Sequence, residues 1–373
     1  MSEIKTGSEQ PTMVFHAPYP MDPHPTSASR LRPLRMREAF SQLGYRVLDA
    51  SGTVKQRRAV LKRLRKFLRG GGKVDFLYSE NSTQPNLLAG SLKEGVAPLV
   101  DYLIMREVAR SGAKVGVFYR DIYWKFDLAD STGLYQRVKP LLHGLDMFGY
   151  RRNHVHLFVP SMKMASLLDA RGLTCTALPP AGDRQQVAPL PQGPLTAVYV
   201  GGLGAHYNIE SFMQALERTA NVELELCTRK DQWEEYVRSH PQLPLSRIRV
   251  SHISAGQLAN LYERSHIGVL AVDPSPYWEF ATPVKLFEYL SYGRPIIATR
   301  PTHAAELVEQ IGAGWVVDPT PEAIGQMLTH LRDNPQEVAA KAQAVSRAAK
   351  DHTWQARALT AANILTGKAD NDS

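Results

Sequence analysis

Cysteine is scarce in this sequence. The 373 residues include only two, Cys175 and Cys227, and both stand in apolar, strand-like runs. Two cysteines this far apart argue against a disulfide framework and against a cysteine-based metal site. We therefore expect both thiols to behave as small apolar side chains of the core.

Long apolar runs are missing as well. No stretch approaches the roughly 20 consecutive apolar residues that a membrane-spanning helix needs. The start of the chain, MSEIKTGSEQ, has neither the basic segment nor the apolar segment of a secretory signal. These absences predict a cytoplasmic location.

The composition does not indicate a fibrous or disordered protein. Hydrophobic residues make up 43% of the chain and charged residues 21%, which is typical of a soluble globular protein. A chain of 373 residues exceeds the size at which one hydrophobic core usually stops growing. We therefore expect two domains.

Positive charge is concentrated in the first half of the chain. The net charge is +8, but residues 1–190 hold 28 Lys and Arg against 16 Asp and Glu, so the remainder is net negative. From Lys55 to Lys73, nine basic residues occur without an acidic one. Such a cluster predicts contact with an anionic partner.

Short apolar runs rich in β-branched residues alternate with longer segments of helical periodicity, a pattern typical of βαβ units and parallel sheets. The predicted strands cover residues 13–16, 45–48, 74–78, 114–119, 156–159, 174–178, 196–200, 222–227, 248–252, 267–272, 295–299 and 314–317. The predicted helices cover residues 28–43, 54–69, 98–111, 134–148, 162–171, 208–219, 230–239, 255–264, 283–292, 303–311, 321–333 and 334–367.

The two series of strands predict an α/β protein with two doubly wound, Rossmann-like domains, over residues 1–180 and 196–350. Residues 181–195 are rich in Pro, Gly and Gln and predict a linker. Residues 351–373 predict a C-terminal helix and a polar tail. Because such sheets bind ligands at the carboxyl ends of their strands, we expect the chemistry to lie in the loops there.

The most specific motif is T-P-V-K-L-F-E-Y-L-S-Y-G-R-P-I-I-A-T, at residues 282–299. Pro283 suits the first turn of a helix, and the positive end of that helix suits a diphosphate. Lys285 is unfavourably placed for the helix dipole unless it meets phosphate oxygens. The alternative is an ordinary surface ion pair between Lys285 and Glu288.

This run resembles the nucleotide-sugar-binding segment of GT-B glycosyltransferases, in the family of glycosyl transferases group 1 (glycosyltransferase family 4-like). The resemblance covers most of the chain, most firmly residues 155–320. It implies the GT-B fold, with two Rossmann-like domains facing a central cleft, an acceptor-binding N-terminal domain and a donor-binding C-terminal domain. In the family, the glutamate that corresponds to Glu288 accepts hydrogen bonds from the ribose hydroxyls.

The resemblance implies further donor-binding residues. Gly201 and Gly202 follow the first strand of the C-terminal domain, as the family's donor loop does, although a plain tight turn is an alternative. His252 and Ile253 fall where main-chain groups of the family hold the base. Glu306 falls in the family's donor-sugar loop.

The sequence also departs from the family. The basic residues usual near the glycine loop are missing, and Arg229 together with Lys285 is the expected substitute at the diphosphate. Both glycines of the donor-sugar loop before Glu306 are absent. The position eight residues before Glu288 is Phe280 instead of an acid, so a retaining outcome is not carried over.

The acceptor-side candidates lie in the first half. Asp121 ends a predicted strand, where a carboxylate is placed to take the proton of an acceptor hydroxyl; a helix cap or a pair with the preceding arginine is the alternative. Glu80 closes the preceding strand and is the reserve base. His16, Ser27 and Arg30 correspond to the family's acceptor-side first loop, although His16 could equally be a satisfied histidine at a strand end.

The basic segment 55–69 also carries an apolar stripe. An amphipathic helix of this kind binds an anionic membrane interface, and we name Lys62, Arg63, Lys66 and Phe67 as the expected membrane-contact residues. The alternative is a stripe packed on the protein's own sheet beneath a solvated charged face. Nucleic acid is not expected, because no zinc-ligand spacing or RNA-binding motif accompanies the charge.

Metal ligands are not indicated: the one D-x-D motif is Asp370–Asp372 in the tail, and no metal or other cofactor is expected. The sequence predicts a metal-independent glycosyltransferase that uses a nucleotide-sugar as substrate. Its expected acceptor is a lipid-linked or growing cell-surface polysaccharide, met at the inner face of the plasma membrane. A sugar-nucleotide epimerase on the same fold and a non-catalytic membrane-associated scaffold are the alternatives.

Overall fold

The chain forms two compact units. A computed structural model describes residues 10–23, 28–86, 99–122, 125, 134–185, 187–204, 207–253 and 257–368. The first unit comprises Met1–Pro179 and Trp354–Ser373, and the second comprises Pro180–Thr353. Together they confirm the predicted α/β class with two doubly wound domains.

The first unit is built on a six-stranded parallel sheet with the strand order β2-β1-β3-β4-β5-β6. Its strands are β1 (Thr12–Ala17), β2 (Arg46–Ser51), β3 (Phe76–Glu80), β4 (Lys114–Phe118), β5 (His156–Val159) and β6 (Thr174–Ala177). Each lies where the sequence predicts a strand, because the β-branched and aromatic runs fit a sheet covered on both faces.

In the described residues of this unit, the helices between the strands are α1 (Ala28–Gln42), α2 (Val54–Arg69), α3 (Val100–Arg110), α4 (Leu134–Arg152) and α5 (Met162–Leu167). Helix α2 begins with a capping box, in which Thr53 Oγ1 accepts from Gln56 N–H and Gln56 Oε1 accepts from Thr53 N–H. Helix α1 packs on the sheet through Phe40, whose ring centre lies 5.6 Å from that of Phe76 and 5.2 Å from that of Tyr78, both in β3. These aromatic contacts form part of the first core.

The second unit repeats the architecture with the order β12-β11-β10-β7-β8-β9. Its strands are β7 (Leu195–Val200), β8 (Val222–Cys227), β9 (Ile248–Ser251), β10 (Ile267–Leu270), β11 (Ile296–Thr299) and β12 (Gly314–Val317). Its helices are α6 (Glu210–Arg218), α7 (Lys230–Ser239), α8 (Ala259–Glu263), α9 (Val284–Ser291), α10 (His303–Ile311), α11 (Pro321–Asp333) and α12 (Pro335–Ala348). The strand order reverses between β7 and β10, which is where doubly wound sheets bind ligands.

The C-terminal segment differs from the prediction. Residues 334–367 do not form one helix: α12 ends at Ala348, a 3-10 turn covers Ala349–His352, and α13 (Trp354–Thr366) follows. Helix α13 packs on α1, β3 and β4 and belongs to the first unit. The break allows a small apolar face, including Ala358, Ala361 and Ala362, to lie close to that sheet.

The segment predicted as a linker is held against the second unit. Gly182 N–H donates to the His352 carbonyl at 3.0 Å, and the Arg294 guanidinium donates to the Ala188 carbonyl at 3.2 Å. Arg294 itself is buried. Proline and glycine there mark irregular backbone that the second unit satisfies with hydrogen bonds.

The two cysteines are both free thiols. Cys227 is buried in the second core, as expected. Cys175 is only half-buried, because β6 is the edge strand of its sheet.

Candidate functional site

Helix α9 carries the most specific motif and is fixed firmly to the second sheet. Pro283 stands at its N-cap, and Leu286, Phe287, Tyr289 and Leu290 are buried beneath it. The Tyr289 hydroxyl lies 3.3 Å from the Val269 carbonyl of β10. This anchoring places Lys285, in the first turn, beside the end of β7, where its ammonium meets the buried Tyr199 ring.

Lys285 is enclosed by two tyrosine rings. Its Nζ lies 4.0 Å from the centre of the Tyr199 ring and 4.8 Å from the centre of the Tyr207 ring. Within the described residues, this buried nitrogen has no hydrogen-bond partner. Burial lowers the pKa of Lys285 to about 7, and the nearby Glu288 carboxylate opposes part of that shift. An enclosed ammonium without a partner favours the arrival of an anion.

The glycine loop after β7 lies against the same lysine. A Cβ at position 201 would overlap Lys285 Nζ, so a larger residue there would require the end of the lysine side chain to shift. The loop is fixed from two sides, because the Tyr199 hydroxyl donates to the Gly202 carbonyl at 2.8 Å and Gln232 Oε1 accepts from Leu203 N–H at 3.1 Å. The structure therefore brings Gly201, Gly202 and Lys285 together.

Glu288 lies one turn beyond Lys285 and is mostly buried. The Tyr262 hydroxyl donates to its Oε2 at 3.3 Å. Burial raises the pKa of Glu288, while the Tyr262 hydrogen bond and Lys285 oppose the rise. The two charges influence one another without a direct ion pair, which argues against the plain surface-pair alternative.

A chain of contacts links Lys285 to the region of Glu306. The Tyr207 ring packs edge-on against Trp278 with the ring centres 5.5 Å apart, and the Trp278 carbonyl accepts from His303 N–H at 2.9 Å. His303 Nδ1 lies 3.2 Å from Glu306 Oε2, in the first turn of α10. Glu306 thus stands near the same end of the sheet, in a pair with His303.

Three other donor candidates lie at the ends of neighbouring strands. Arg229 follows β8, is 71% exposed at its side chain and lies 4.0 Å from Asp231. His252 is exposed, and its Nδ1 lies 2.8 Å from the Thr228 carbonyl. Ile253 is partly buried against the core. No described contact joins these three to Lys285, so their roles stay predictions.

In the first unit, polar side chains gather at the carboxyl ends of β3 and β4. Thr83 Oγ1 donates to Asp121 Oδ2 at 3.1 Å, and Arg120 N–H donates to Asn81 Oδ1 at 2.9 Å. The Arg120 guanidinium donates to the Tyr19 hydroxyl at 2.7 Å. Burial raises the pKa of Tyr19 to about 12, against the opposing charge of Arg120. Asp121 is partly exposed and remains the better-placed carboxylate here.

Glu80 does not suit the role of a reserve base. It is fully buried, and its Oε1 accepts from Arg32 Nε at 2.9 Å and from the Tyr78 hydroxyl at 2.7 Å. The Arg32 guanidinium also lies 3.4 Å from the centre of the Phe118 ring. A carboxylate neutralised in this way ties α1 to the sheet, and it has no access to an acceptor hydroxyl.

His16 is likewise a structural residue, which corrects its assignment to the acceptor. It is fully buried, with Nδ1 2.7 Å from Ser79 Oγ and Nε2 2.9 Å from Asp101 Oδ1. Both ring nitrogens are therefore engaged inside the domain. Arg30 is 64% exposed and lies 3.6 Å from Asp22. Ser27 lies outside the described residues.

Comparison with known families bears on the second unit. Residues 194–334 match the model of the family described as glycosyl transferases group 1. The resemblance drawn from the motif is confirmed there. Comparison with curated proteins gives no significant match.

Solved structures extend the likeness along the whole chain. Sucrose-phosphate synthase from Thermosynechococcus elongatus is 13% identical with a TM-score of 0.62, over 95% of this chain and 98% of that one. Anabaena HepE in complex with UDP and glucose is 13% identical with a TM-score of 0.62, over 95% and 99% of the two chains. WaaG, a glycosyltransferase involved in lipopolysaccharide biosynthesis, is 14% identical with a TM-score of 0.57, over 95% and 100%. The fold is the GT-B fold.

Within this glycosyltransferase fold, the apolar stripe of α2 faces inward. Val54, Val60, Leu61 and Leu64 are buried, and Phe67 is half-buried with its ring under the Arg46 guanidinium, 5.8 Å away. The stripe therefore follows the alternative of packing on the protein's own domain, and the membrane contact of Phe67 stays a prediction. Among the predicted contacts, the three cations are exposed: Lys62, Arg63 and Lys66. In the part of the chain that is described, no helix has the length and apolar character needed to cross a bilayer.

Metal binding has no visible site in the described part of this GT-B chain. Across those residues, no group of three or more His, Cys, Asp or Glu side chains is arranged to hold an ion. Asp370 and Asp372 lie outside the described residues. Metal independence stays a prediction.

Several residues at these sites were not predicted as functional from the sequence. Tyr199, Tyr207 and Gln232 enclose the lysine or fix the glycine loop, and Tyr19 and Arg120 support the polar cluster near β4. Tyr199 lies one residue before the end of a strand and gave no signal beyond an ordinary core aromatic. Arg120 and Tyr19 are adjacent to motifs, and polar residues directly after predicted strands are the signal that could have found them.

Proposed function

We propose that this protein is a glycosyltransferase that transfers a sugar from a nucleotide-sugar to a hydroxyl group. The observation that carries the proposal is Lys285, an enclosed ammonium without a partner in the described structure, beside the N-terminus of α9 and the glycine loop. A diphosphate supplies the hydrogen-bond acceptor that this ammonium lacks, and the N–H groups of a helix N-terminus and a glycine loop suit its oxygens. HepE, whose solved complex contains UDP and glucose, shares the fold and supports this assignment.

Each donor-side residue has a role in this proposal. Lys285 meets the diphosphate, and Gly202 offers its backbone N–H group to it. The Gly201 N–H donates to the Cys227 carbonyl at 2.9 Å, so Gly201 contributes by letting the loop approach the ligand closely. Glu288 accepts hydrogen bonds from the ribose hydroxyls. Glu306 contacts the donor sugar.

The remaining donor-side residues surround the ends of β8 and β9. The exposed Arg229 guanidinium adds charge at the diphosphate. Main-chain groups at His252 and Ile253 hold the base. Each of these positions follows a strand at the edge where doubly wound sheets bind ligands.

The transfer forms a bond between an acceptor hydroxyl oxygen and the anomeric carbon. The bond from that carbon to the phosphate oxygen breaks, and the nucleoside diphosphate leaves with the electron pair. Asp121 takes the hydroxyl proton, with Thr83 fixing one of its oxygens. Lys285 and Arg229 meet the charge that develops on the leaving group without a metal ion.

The acceptor in this proposal is a lipid-linked or growing cell-surface glycan, met peripherally at the inner face of the plasma membrane. WaaG, which is similar over nearly its whole length, is described as acting in lipopolysaccharide biosynthesis and supports this choice. The exposed cations Lys62, Arg63 and Lys66 suit an anionic surface. Ser27 and Arg30 are the proposed acceptor contacts.

Thermal unfolding with UDP, GDP, dTDP, CDP and their sugar conjugates tests the donor site. One nucleotide should raise Tm, because a ligand at 100 times its Kd stabilises the folded state by about 2.7 kcal/mol. Lys285→Met should abolish the rise, and Lys350→Met, at an exposed lysine of the same unit, should retain it. Asp121→Asn should keep the nucleotide-dependent rise and lose sugar transfer.

The proposal fails if no nucleotide raises Tm or if Lys285→Met responds as the wild type does. Loss of nucleotide binding in Asp121→Asn would contradict the separate role of Asp121. Conversion of the donor sugar to an epimer in the absence of acceptor would favour the epimerase. Vesicle binding without any nucleotide response would favour the scaffold.

A further inference from the structure

The outward face of α4 is apolar, which is unusual for a surface helix. Leu141, Leu145 and Phe148 are 72%, 47% and 61% exposed. Their spacing of four and three residues places them in one row along the helix. The opposite face carries Met147 and Tyr150, which are buried in the first core. Within the residues that the structure describes, helix α4 therefore presents a second apolar face that no other part of its domain covers.

This row, Leu141, Leu145 and Phe148, is called the α4 ridge. It borders a groove of about 770 Å³ between α3 and α4. The apolar part of the groove is completed from α3 by the 59% exposed Leu99 and by the half-exposed Tyr102 and Leu103. Ridge and groove form one continuous apolar surface within the first unit.

The charged residues that line the groove are all of one sign. Arg106, Arg110 and Arg152 are exposed. In the described ranges, none of their guanidinium groups has a hydrogen bond or an ion pair to another residue. His154 is the other ionisable lining residue besides Tyr102, and the lining includes no carboxylate. An apolar strip with unpaired arginines at its rim is complementary to apolar chains below anionic groups.

Helix α2 extends the positive surface beside α3. The two helices pack together, and Arg65 Nη2 lies 2.9 Å from Glu107 Oε1 of α3. The outward side of α2 carries exposed cations: Lys55, Arg58, Lys62, Arg63, Lys66 and Arg69. The positive charge of α2 therefore flanks the α3–α4 surface, while its apolar stripe is buried.

We propose that the α4 ridge and the groove beside it form the docking surface for an anionic lipid bilayer. Leu141, Leu145 and Phe148 enter the apolar part of the interface, while Arg106 and Arg110 meet lipid phosphates. This surface replaces the α2 stripe as the inserting element and leaves α2 as an electrostatic flank. The inference rests on the membrane-associated part of the proposed function and names the residues that carry it.

A bilayer suits this surface better than a second copy of the chain. A twofold dimer through the ridge would bring the same unpaired arginines of both copies toward one another, and like charges at an interface oppose association. Anionic lipids instead provide the opposite charge and an apolar layer directly beneath it. The charge pattern therefore favours lipid.

Vesicle flotation of the full-length protein tests the proposal. The wild type should bind vesicles that contain phosphatidylcholine and phosphatidylglycerol. Its binding to vesicles of phosphatidylcholine alone should be weaker by about tenfold or more. The double variant Leu145→Asn, Phe148→Asn should lose about tenfold or more of its binding to the anionic vesicles. Arg106→Gln with Arg110→Gln should weaken binding to anionic vesicles and leave the residual binding to neutral ones unchanged.

Leu359→Asn provides the matched control, because Leu359 is a 49% exposed leucine elsewhere on the first unit. It should bind as the wild type does. The proposal is overturned if the wild type ignores anionic vesicles or if the ridge variant binds them equally well. A wild-type dimer that the ridge variant dissociates, without vesicle binding by either, would instead assign the surface to a second copy.

Nucleotide-dependent Tm shifts, measured on the same samples, separate this inference from the donor site. The ridge variant should respond to the nucleotide as the wild type does. Vesicle binding with no nucleotide response in the wild type would contradict the proposed donor site alone. A normal nucleotide response without wild-type vesicle binding would contradict the docking surface alone.

Discussion

At the scale of single residues, Lys285 occupies a place that is unfavourable for a lysine. Two tyrosine rings enclose its ammonium, no described group accepts a hydrogen bond from it, and Glu288 offsets only part of the effect of burial on its pKa. With its pKa lowered to about 7, the folded protein releases this proton far below the usual pKa of lysine. Between those pH values the unfolded chain binds more protons, so the contribution of Lys285 to stability improves as pH rises through this range. The enclosed lysine lowers the stability of the fold, but it places an amine where a phosphate group can bind.

Binding of a nucleoside diphosphate should therefore take up a proton. At about pH 8 the free protein holds Lys285 largely neutral, and an anion beside Nζ raises its pKa and recruits the proton. Affinity should fall with rising pH above about 7, by up to about tenfold per unit. Calorimetry at pH 8 in buffers of different ionisation enthalpy measures this uptake directly.

Lys285→Met should bind weakly and without the lysine-linked proton, whereas the exposed Lys350→Met should match the wild type. An affinity that stays constant from pH 7 to pH 9 would show that Lys285 does not meet the diphosphate.

At the scale of the elements, a buried polar network fixes the helices around the first sheet. Asp101 of α3 bonds to His16 of β1 and accepts from Arg57 Nε of α2 at 2.7 Å. Arg57 also donates to the Gly52 carbonyl, at the turn before α2. All three side chains are buried, so the network is stable only while every member is satisfied.

Asp101→Asn should reduce the free energy of unfolding by about 3–5 kcal/mol, because the buried Arg57 charge loses its bond to the Asp101 carboxylate. Glu107→Gln on the same helix removes the partly exposed pair with Arg65 and should cost within about 1 kcal/mol. Urea unfolding of both variants measures the difference. Similar losses in the two would mean that burial does not set the strength of the Asp101 network.

At the scale of the whole molecule, the chain returns to its first unit at the end. Helix α13 follows the second unit in sequence but packs on α1, β3 and β4. Its anchors include the buried Trp354 and the Arg357 guanidinium, which donates to the Pro179 carbonyl at 3.1 Å. The first unit is therefore complete only when the last helix has been made.

A charge on the buried face of α13 should destabilise the first unit and leave the stability of the second unit unchanged. Ala361 is fully buried, and Ala361→Asp places an unpaired carboxylate against the sheet. Hydrogen exchange should become faster in β3 and β4 and stay unchanged in β7 and β8. Leu359→Asp, on the exposed side, should change neither and cost about 0.5 kcal/mol or less. Equal acceleration in both sheets would mean that α13 supports the two units alike.

Local sequence patterns were enough to predict the two parallel sheets and the helix that carries Lys285 and Glu288. Strand and helix periodicities, capping signals and the P-x-K-x-x-E run are local patterns, and each can be recognised within about 20 residues. For the same reason, the twelve strands lie where the alternation predicts them.

Which polar and apolar side chains are free to contact a ligand or a partner depends on tertiary contacts. His16 is held by Asp101, 85 positions along the chain, and Glu80 Oε1 is held by Arg32, 48 positions away. Likewise α2 and α4 are both amphipathic in part, but the sheet buries the stripe of α2 and leaves the ridge of α4 exposed. Burial depends on contacts between distant segments, and those contacts exist only once the sheet has formed.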